Sequence, residues 1–136
     1  MSSVKNVLAI DDDPVALLIV SKTIAKVKFA DSVIEMGGAG VALKYLEELI
    51  NGSGEDVPEL IILDLNMPIL DGWGFLDTYE DALMNQFPKT HIIILSSSID
   101  PSERVKAKKY TSVIGFYSKP LTEQALEEID HLINSN

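Results

Sequence analysis

Five apolar runs of strand length alternate with five longer segments of helical period along this chain. The runs predict strands over about 5–10, 32–36, 60–64, 91–96 and 113–117. The segments between them predict helices over about 14–28, 38–51, 72–86, 101–110 and 122–134. Runs as continuous as Leu60-Ile61-Ile62-Leu63 and Ile92-Ile93-Ile94-Leu95 suit strands covered on both faces, and the alternation argues for an α/β parallel sheet. Helix starts are marked by chemistry. Asp13-Pro14 places a cap before a proline at the first helical position. Asp100-Pro101-Ser102-Glu103 repeats the device and adds a capping-box-like glutamate. Thr122 can cap the last helix, whose buried stripe is predicted as Ala125, Leu126, Ile129, Leu132 and Ile133. In the first helix Ala16, Ile19, Val20, Thr23, Ile24 and Val27 share one face at 100° per residue. Leu17 falls on the border and Leu18 on the far side, where exposed leucines offer a docking spot for a partner helix or are simply scattered surface residues. The fourth helix offers a core only Val105, Ala107 and Tyr110, so it is expected to be the least stable element.

Composition narrows the class. A chain of 136 residues with 46% apolar content is long enough for one core, and residues 1–136 are read as one domain. It has no cysteine, which excludes disulfides and thiolate metal sites. No run approaches a membrane span, and the N-terminus lacks a signal-peptide pattern, so a cytoplasmic protein without membrane insertion is expected. The net charge of −10 argues against direct nucleic-acid binding, which draws on clustered lysine and arginine. One local exception, Arg104, Lys106, Lys108 and Lys109, suits either an acidic partner or a solvated helix face. Asn51-Gly52-Ser53-Gly54-Glu55-Asp56 reads as a loop on the edge away from any chemistry.

The candidate chemistry sits at strand ends. Asp11-Asp12-Asp13 follow Val7-Leu8-Ala9-Ile10, Asp64 follows the third run, Ser96 the fourth, and Lys119-Pro120 the fifth. In an open parallel sheet these ends share one edge, where ligands bind. With the first and third strands adjacent, about 4.8 Å apart, Asp12 and Asp64 can share one cation. Two carboxylates about 4 Å apart repel by roughly 4 kcal/mol at an effective dielectric of 20, so Asp11, Asp12 and Asp64 call for a counterion. Oxygen ligands and an incomplete shell suit Mg²⁺. Asp64, central on the edge, is then the candidate nucleophile for a phosphoryl group. Lys119 and the Ser96 hydroxyl would pair with its oxygens. Asp13 and Asp71 are read as a helix cap and a turn, not as ligands.

On these residues the chain resembles the receiver domain of two-component response regulators, of the single-domain chemotaxis or phosphorelay type. The matching segments are Leu8 to Pro14, Leu60 to Gly72, Leu95-Ser96-Ser97 and Gly115 to Pro120, and the likeness spans nearly all of 5–134. It implies a flavodoxin-like, doubly wound (βα)5 fold with strand order 2-1-3-4-5, an order taken over with the resemblance. It implies that Asp64 accepts a phosphoryl group from a phosphohistidine on a sensor histidine kinase or phosphotransfer protein. Asp11, Asp12, Asp64 and the Asn66 carbonyl would hold Mg²⁺, and Lys119 would pair with the phosphate. Ser96 and Phe116 would form the switch pair, and a cis bond often precedes the equivalent of Pro120. Such a domain is a signalling module, not an enzyme. With no DNA-binding or catalytic segment after residue 134, the expected output is contact with a downstream protein or onward transfer, unless the chain is a fragment of a larger regulator. The chain departs from the family pattern at Ser112, where glycine is usual, and at Ser98, which lacks the usual charge or bulk. Serine at 96 replaces the commoner threonine.

Two other readings compete. A Mg²⁺-dependent phosphohydrolase with an aspartyl intermediate usually has a second acid two residues after the nucleophile, where this chain has Asn66. A non-phosphorylated interaction module on the same fold would have no need of Asp11, Asp12, Asp64, Ser96 and Lys119 together.

Overall fold

The computed structural model describes residues 4–135. Five parallel strands, β1 (Val4–Ile10), β2 (Ala30–Met36), β3 (Leu60–Leu63), β4 (His91–Ser96) and β5 (Val113–Ser118), form one sheet in the order β2-β1-β3-β4-β5. Between and after them run α1 (Pro14–Val27), α2 (Ala39–Leu49), α3 (Gly72–Thr78), α4 (Pro101–Ala107) and α5 (Glu123–Asn134). This is the flavodoxin-like α/β arrangement expected. None of these helices is long and apolar enough to cross a membrane.

Alternation along each strand builds two cores. Leu8, Ile10, Ile61, Leu63, Ile92 and Ile94 face one side and pack with α2, α3 and Ala107 of α4. Val7, Ala9, Leu60, Ile62, Ile93 and Leu95 face the other and pack with α1 and α5. Burial on both faces is why these runs show no polar alternation. Register aligns the strand ends. Ile10 pairs with Leu63, Leu63 with Ile94, and Ile94 with Phe116, so the polar residue after each run emerges along one edge.

The predicted caps form at three helices. Asp13 accepts from Val15 N–H at 2.9 Å, Asp100 from Ser102 N–H at 3.0 Å, and Thr122 from Ala125 N–H at 3.0 Å. The capping box at Asp100 does not close. Asp100 N–H donates to the Ser98 hydroxyl at 3.2 Å, and the Glu103 carboxylate turns toward Ser96 instead.

Three helical expectations need correction. In α1, Leu17 is buried and Ile19 is 40% exposed. Every residue from Val15 to Val20 is apolar, so periodicity leaves the phase of that turn open and packing against the sheet selects Leu17, Val20 and Ile24. In α5, Leu132 lies at the surface, and the buried stripe is Ala125, Leu126 and Ile129. The helix predicted over 72–86 is α-helical only to Thr78, then widens into a π turn over Tyr79–Leu83 and a 3-10 turn over Met84–Gln86. Phe75, Tyr79, Leu83 and Phe87 are all buried. Residues spaced by four drift about 40° per step on a 3.6-residue helix. The wider π turn offsets that drift and keeps the four on the core, with Phe75, Tyr79 and Phe87 stacked in series.

Candidate functional site

The loop after β1 brings Asp11 and Asp12 to the edge, and Asp64 follows β3. The backbone fixes both: Asp11 N–H donates to the Met36 carbonyl at 3.1 Å, and Asp64 N–H to the Ile10 carbonyl at 3.0 Å. One carboxylate oxygen from each of Asp11, Asp12 and Asp64 lies within 4.8 Å of the others. Asp11 and Asp64 are 5% and 4% exposed, whereas Asp12 faces solvent. Lys119 reaches across from the end of β5, its Nζ 2.7 Å from Asp11 and 3.3 Å from Asp64. Lys119 N–H donates to the Ser96 carbonyl at 2.9 Å, which fixes where that side chain starts, and the Lys119–Pro120 bond is cis.

Two of the three carboxylates, Asp11 and Asp64, pair with the Lys119 ammonium, and Asp64 and Lys119 are both shifted. Burial, and then the Asp11 charge, push the Asp64 carboxyl above the ordinary aspartate range; Lys119 and the Asn66 N–H offset part of this. Burial by itself would lower Lys119, but its bond to Asp11 and the charges of Asp64 and Asp11 outweigh it and hold the ammonium above its ordinary value. The Asp64 shift is first an effect of burial and second of the Asp11 charge, whereas the Lys119 shift comes from its two carboxylate neighbours. Three carboxylate oxygens gathered this closely are hard donors that could hold a metal cation.

Neighbouring residues shape the pocket. An added Cβ on Gly72 would stand 2.6 Å from the Asp64 carbonyl oxygen and 2.8 Å from Leu65 Cα, so the chain after Asp64 can approach this closely only with glycine there. Asp71 serves as the cap of α3, accepting from Gly74 N–H at 2.9 Å. Ile69, fully exposed in the same loop, has φ +71°, which is strained for a β-branched side chain.

Ser96 is wholly buried and accepts from Ser98 N–H at 3.0 Å, with the Glu103 carboxylate 3.5 Å away. Phe116 is half-buried at the end of β5, beneath the Arg104 guanidinium, which is 4.7 Å from the ring centroid. Asn66 is exposed, and the contact it makes with Asp64 is through its backbone N–H. The strand-end pattern brought Asp11, Asp12, Asp64, Ser96 and Lys119 to one edge of the sheet. It gave no sign of Glu103 and Arg104, which come from a helix face and meet β4 and β5 only through tertiary packing. Ser112 likewise shows its reason only in the fold. Buried beside the π turn, it directs both its N–H and its hydroxyl to the Glu80 carboxylate, at 2.8 and 2.5 Å.

Comparison with known proteins agrees with this geometry. The sequence profile of the response regulator receiver domain matches residues 7–130. Two rice proteins, the two-component response regulators ORR23 and ORR24 of Oryza sativa subsp. indica, are 35% and 37% identical over 71 residues, 52% of this chain. That segment is only 9% and 10% of their lengths, so the chain spans a small part of these relatives. Among solved structures, a two component response regulator from Cytophaga hutchinsonii superposes with a TM-score of 0.90 at 28% identity, covering 98% of both chains. The chemotaxis protein CheY4 of Vibrio cholerae shares the fold, with a TM-score of 0.74 at 22% identity over 96% of this chain and 99% of its own. With the family profile spanning nearly the whole sheet and every strand end that carries the site, this chain belongs to the response regulator receiver domain family.

Proposed function

We propose that this protein is a phosphoacceptor in a two-component or phosphorelay pathway. Asp64 would take a phosphoryl group from a phosphohistidine on a sensor kinase or histidine phosphotransfer protein. The observation that carries this reading is the placement of buried Asp64 between Asp11, Asp12 and Lys119. An Asp64 oxygen attacks phosphorus as the P–N bond breaks, and the imidazole nitrogen leaves with the bonding pair, giving an aspartyl phosphate. Asp11, Asp12, Asp64 and the Asn66 carbonyl would hold Mg²⁺. When bound, the ion supplies positive charge for the phosphoryl oxygens as negative charge builds on them. Lys119, already between Asp11 and Asp64, needs only a small side-chain shift to pair with a phosphoryl oxygen. The Ser96 hydroxyl would donate to another, and Phe116 would turn inward as the second member of the switch. The domain acts as a signalling switch whose output is a contact with a downstream protein.

Incubation with acetyl phosphate and Mg²⁺ tests the assignment. Intact-mass measurement is expected to show one added phosphoryl group on the wild type and none on Asp64→Ala. An unmodified wild type, or equal modification of the variant, would refute it.

A further inference from the structure

Two consecutive residues of α4 hold the proposed switch pair from outside. The Glu103 carboxylate stands 3.5 Å from the Ser96 hydroxyl. Arg104 Nη1 donates to the Phe116 carbonyl at 3.1 Å, while its guanidinium lies 4.7 Å from the centroid of the same ring. Two residues further on, the Lys106 ammonium sits 4.5 Å from the centroid of Trp73, which also stacks on Tyr110. Apolar packing contributes little here. Ala107 is the one buried side chain of α4, and Val105 is 61% exposed. The helix is therefore placed largely by polar and cation–π interactions, and those of Glu103 and Arg104 end on Ser96 and Phe116.

From this geometry we propose that Arg104, assisted by Glu103, is a positioning residue that clamps Phe116 and Ser96 in the resting arrangement and so restrains phosphoryl acceptance at Asp64. The inference rests on the phosphoacceptor reading. Turning the Phe116 ring inward would break its face contact with the Arg104 guanidinium, which the bond to the Phe116 carbonyl holds in place. The Glu103 carboxylate, 3.5 Å away, competes weakly with a phosphoryl oxygen for the Ser96 proton. Interactions made only in the resting state lower affinity for whatever binds the other state, and removing them raises it. Arg104 is exposed, so replacing it leaves the core intact.

The test is calorimetric titration with beryllium fluoride and Mg²⁺, a mimic of the phosphoryl group, on wild type, Arg104→Met, Arg104→Lys, Phe116→Leu and the Arg104→Met/Phe116→Leu double variant. Thermal melts check that each variant is folded. Arg104→Met is expected to bind roughly 3- to 10-fold more tightly than wild type, because one charge-assisted hydrogen bond and one cation–π interaction no longer favour the resting state. Arg104→Lys, which keeps the charge but not the planar fork, should fall between. Because Arg104 acts through Phe116, Arg104→Met should add nothing in the Phe116→Leu background, where a merely structural role would act equally in both. Trp73, the chain's single tryptophan, reports on α4 through Lys106, and part of its ligand-induced emission change should be present in free Arg104→Met. Wild-type binding with Arg104→Met equal or weaker, or an equal gain in both backgrounds, overturns the clamp alone. Failure of the wild type to bind overturns the phosphoacceptor reading and the clamp with it.

Discussion

Tyr79 is fully buried, yet no group stands in hydrogen-bonding geometry with its hydroxyl, and the nearby Thr90 hydroxyl donates to the Pro58 carbonyl at 2.6 Å. Burial first, and the Glu80 charge second, push its phenol up to about 12 from 10.0, despite a small opposing effect of Thr90. The folded state therefore holds this proton more tightly than the unfolded chain does. The resulting stability is fully present below pH 10 and is lost as pH rises through about 12, a change on the order of 2–3 kcal/mol. Urea midpoints should fall across that window in the wild type and fall less in Tyr79→Phe. At pH 7 the phenylalanine variant should be as stable as wild type or up to about 1 kcal/mol more stable, since it removes an unpaired polar group. A loss at pH 7 would mean that the hydroxyl has a partner after all. At this scale, what could be read from the sequence was what the main chain dictates. Asp64 and Lys119 each follow an apolar strand, so parallel pairing alone delivers them to one edge. The unpaired hydroxyl of Tyr79 and the Arg104–Phe116 contact depend on where a side chain of one element lands on another, and periodicity holds no such information.

At the scale of elements, the Glu80 carboxylate is a principal tie between the π turn and the start of β5. Glu80 receives both the N–H and the hydroxyl of Ser112, which explains why serine is workable where the family usually has glycine after the fourth helix. Tyr110 adds a second tie by donating to Asp77 at 2.6 Å. Glu80→Ala would leave the buried Ser112 groups unpaired, at a cost of about 1–3 kcal/mol. Ser112→Ala, which keeps the N–H bond and removes only the hydroxyl, should cost about 1 kcal/mol. Denaturant titration of the two variants gives that ranking or contradicts it, and the reverse order would mean that Glu80 is not the anchor. Element existence and order were legible because strand runs and capping residues are local signals. The π turn was not, since the four buried aromatic and leucine positions at spacing four violate the period assumed in reading a helix. The phase of α1 was also hidden, because six consecutive apolar residues carry no phase.

At the scale of the whole molecule, the sheet gathers three carboxylates at one edge of a chain that already carries a net charge of −10. That assembly costs stability when no cation is bound, because carboxylates held this close repel one another. Anything that binds the folded edge and not the unfolded chain returns stability by mass action, about 2.7 kcal/mol when the ligand stands at 100 times its dissociation constant. For a chain of this size, roughly 3 °C of melting temperature accompanies each kcal/mol, so saturating Mg²⁺ should raise the midpoint by about 8 °C. Sodium chloride at matched ionic strength should do much less, since screening weakens exposed repulsions but leaves buried pairs nearly untouched. Asp12→Ala separates the two effects. Asp12 is exposed, so its removal leaves packing intact while relieving one repulsion. The variant should therefore melt at or above the wild type without Mg²⁺ and lose most of the response to it, so that the two titration curves cross. Parallel curves would place the cation elsewhere on the molecule and would remove the support that this edge gives to phosphoryl acceptance at Asp64.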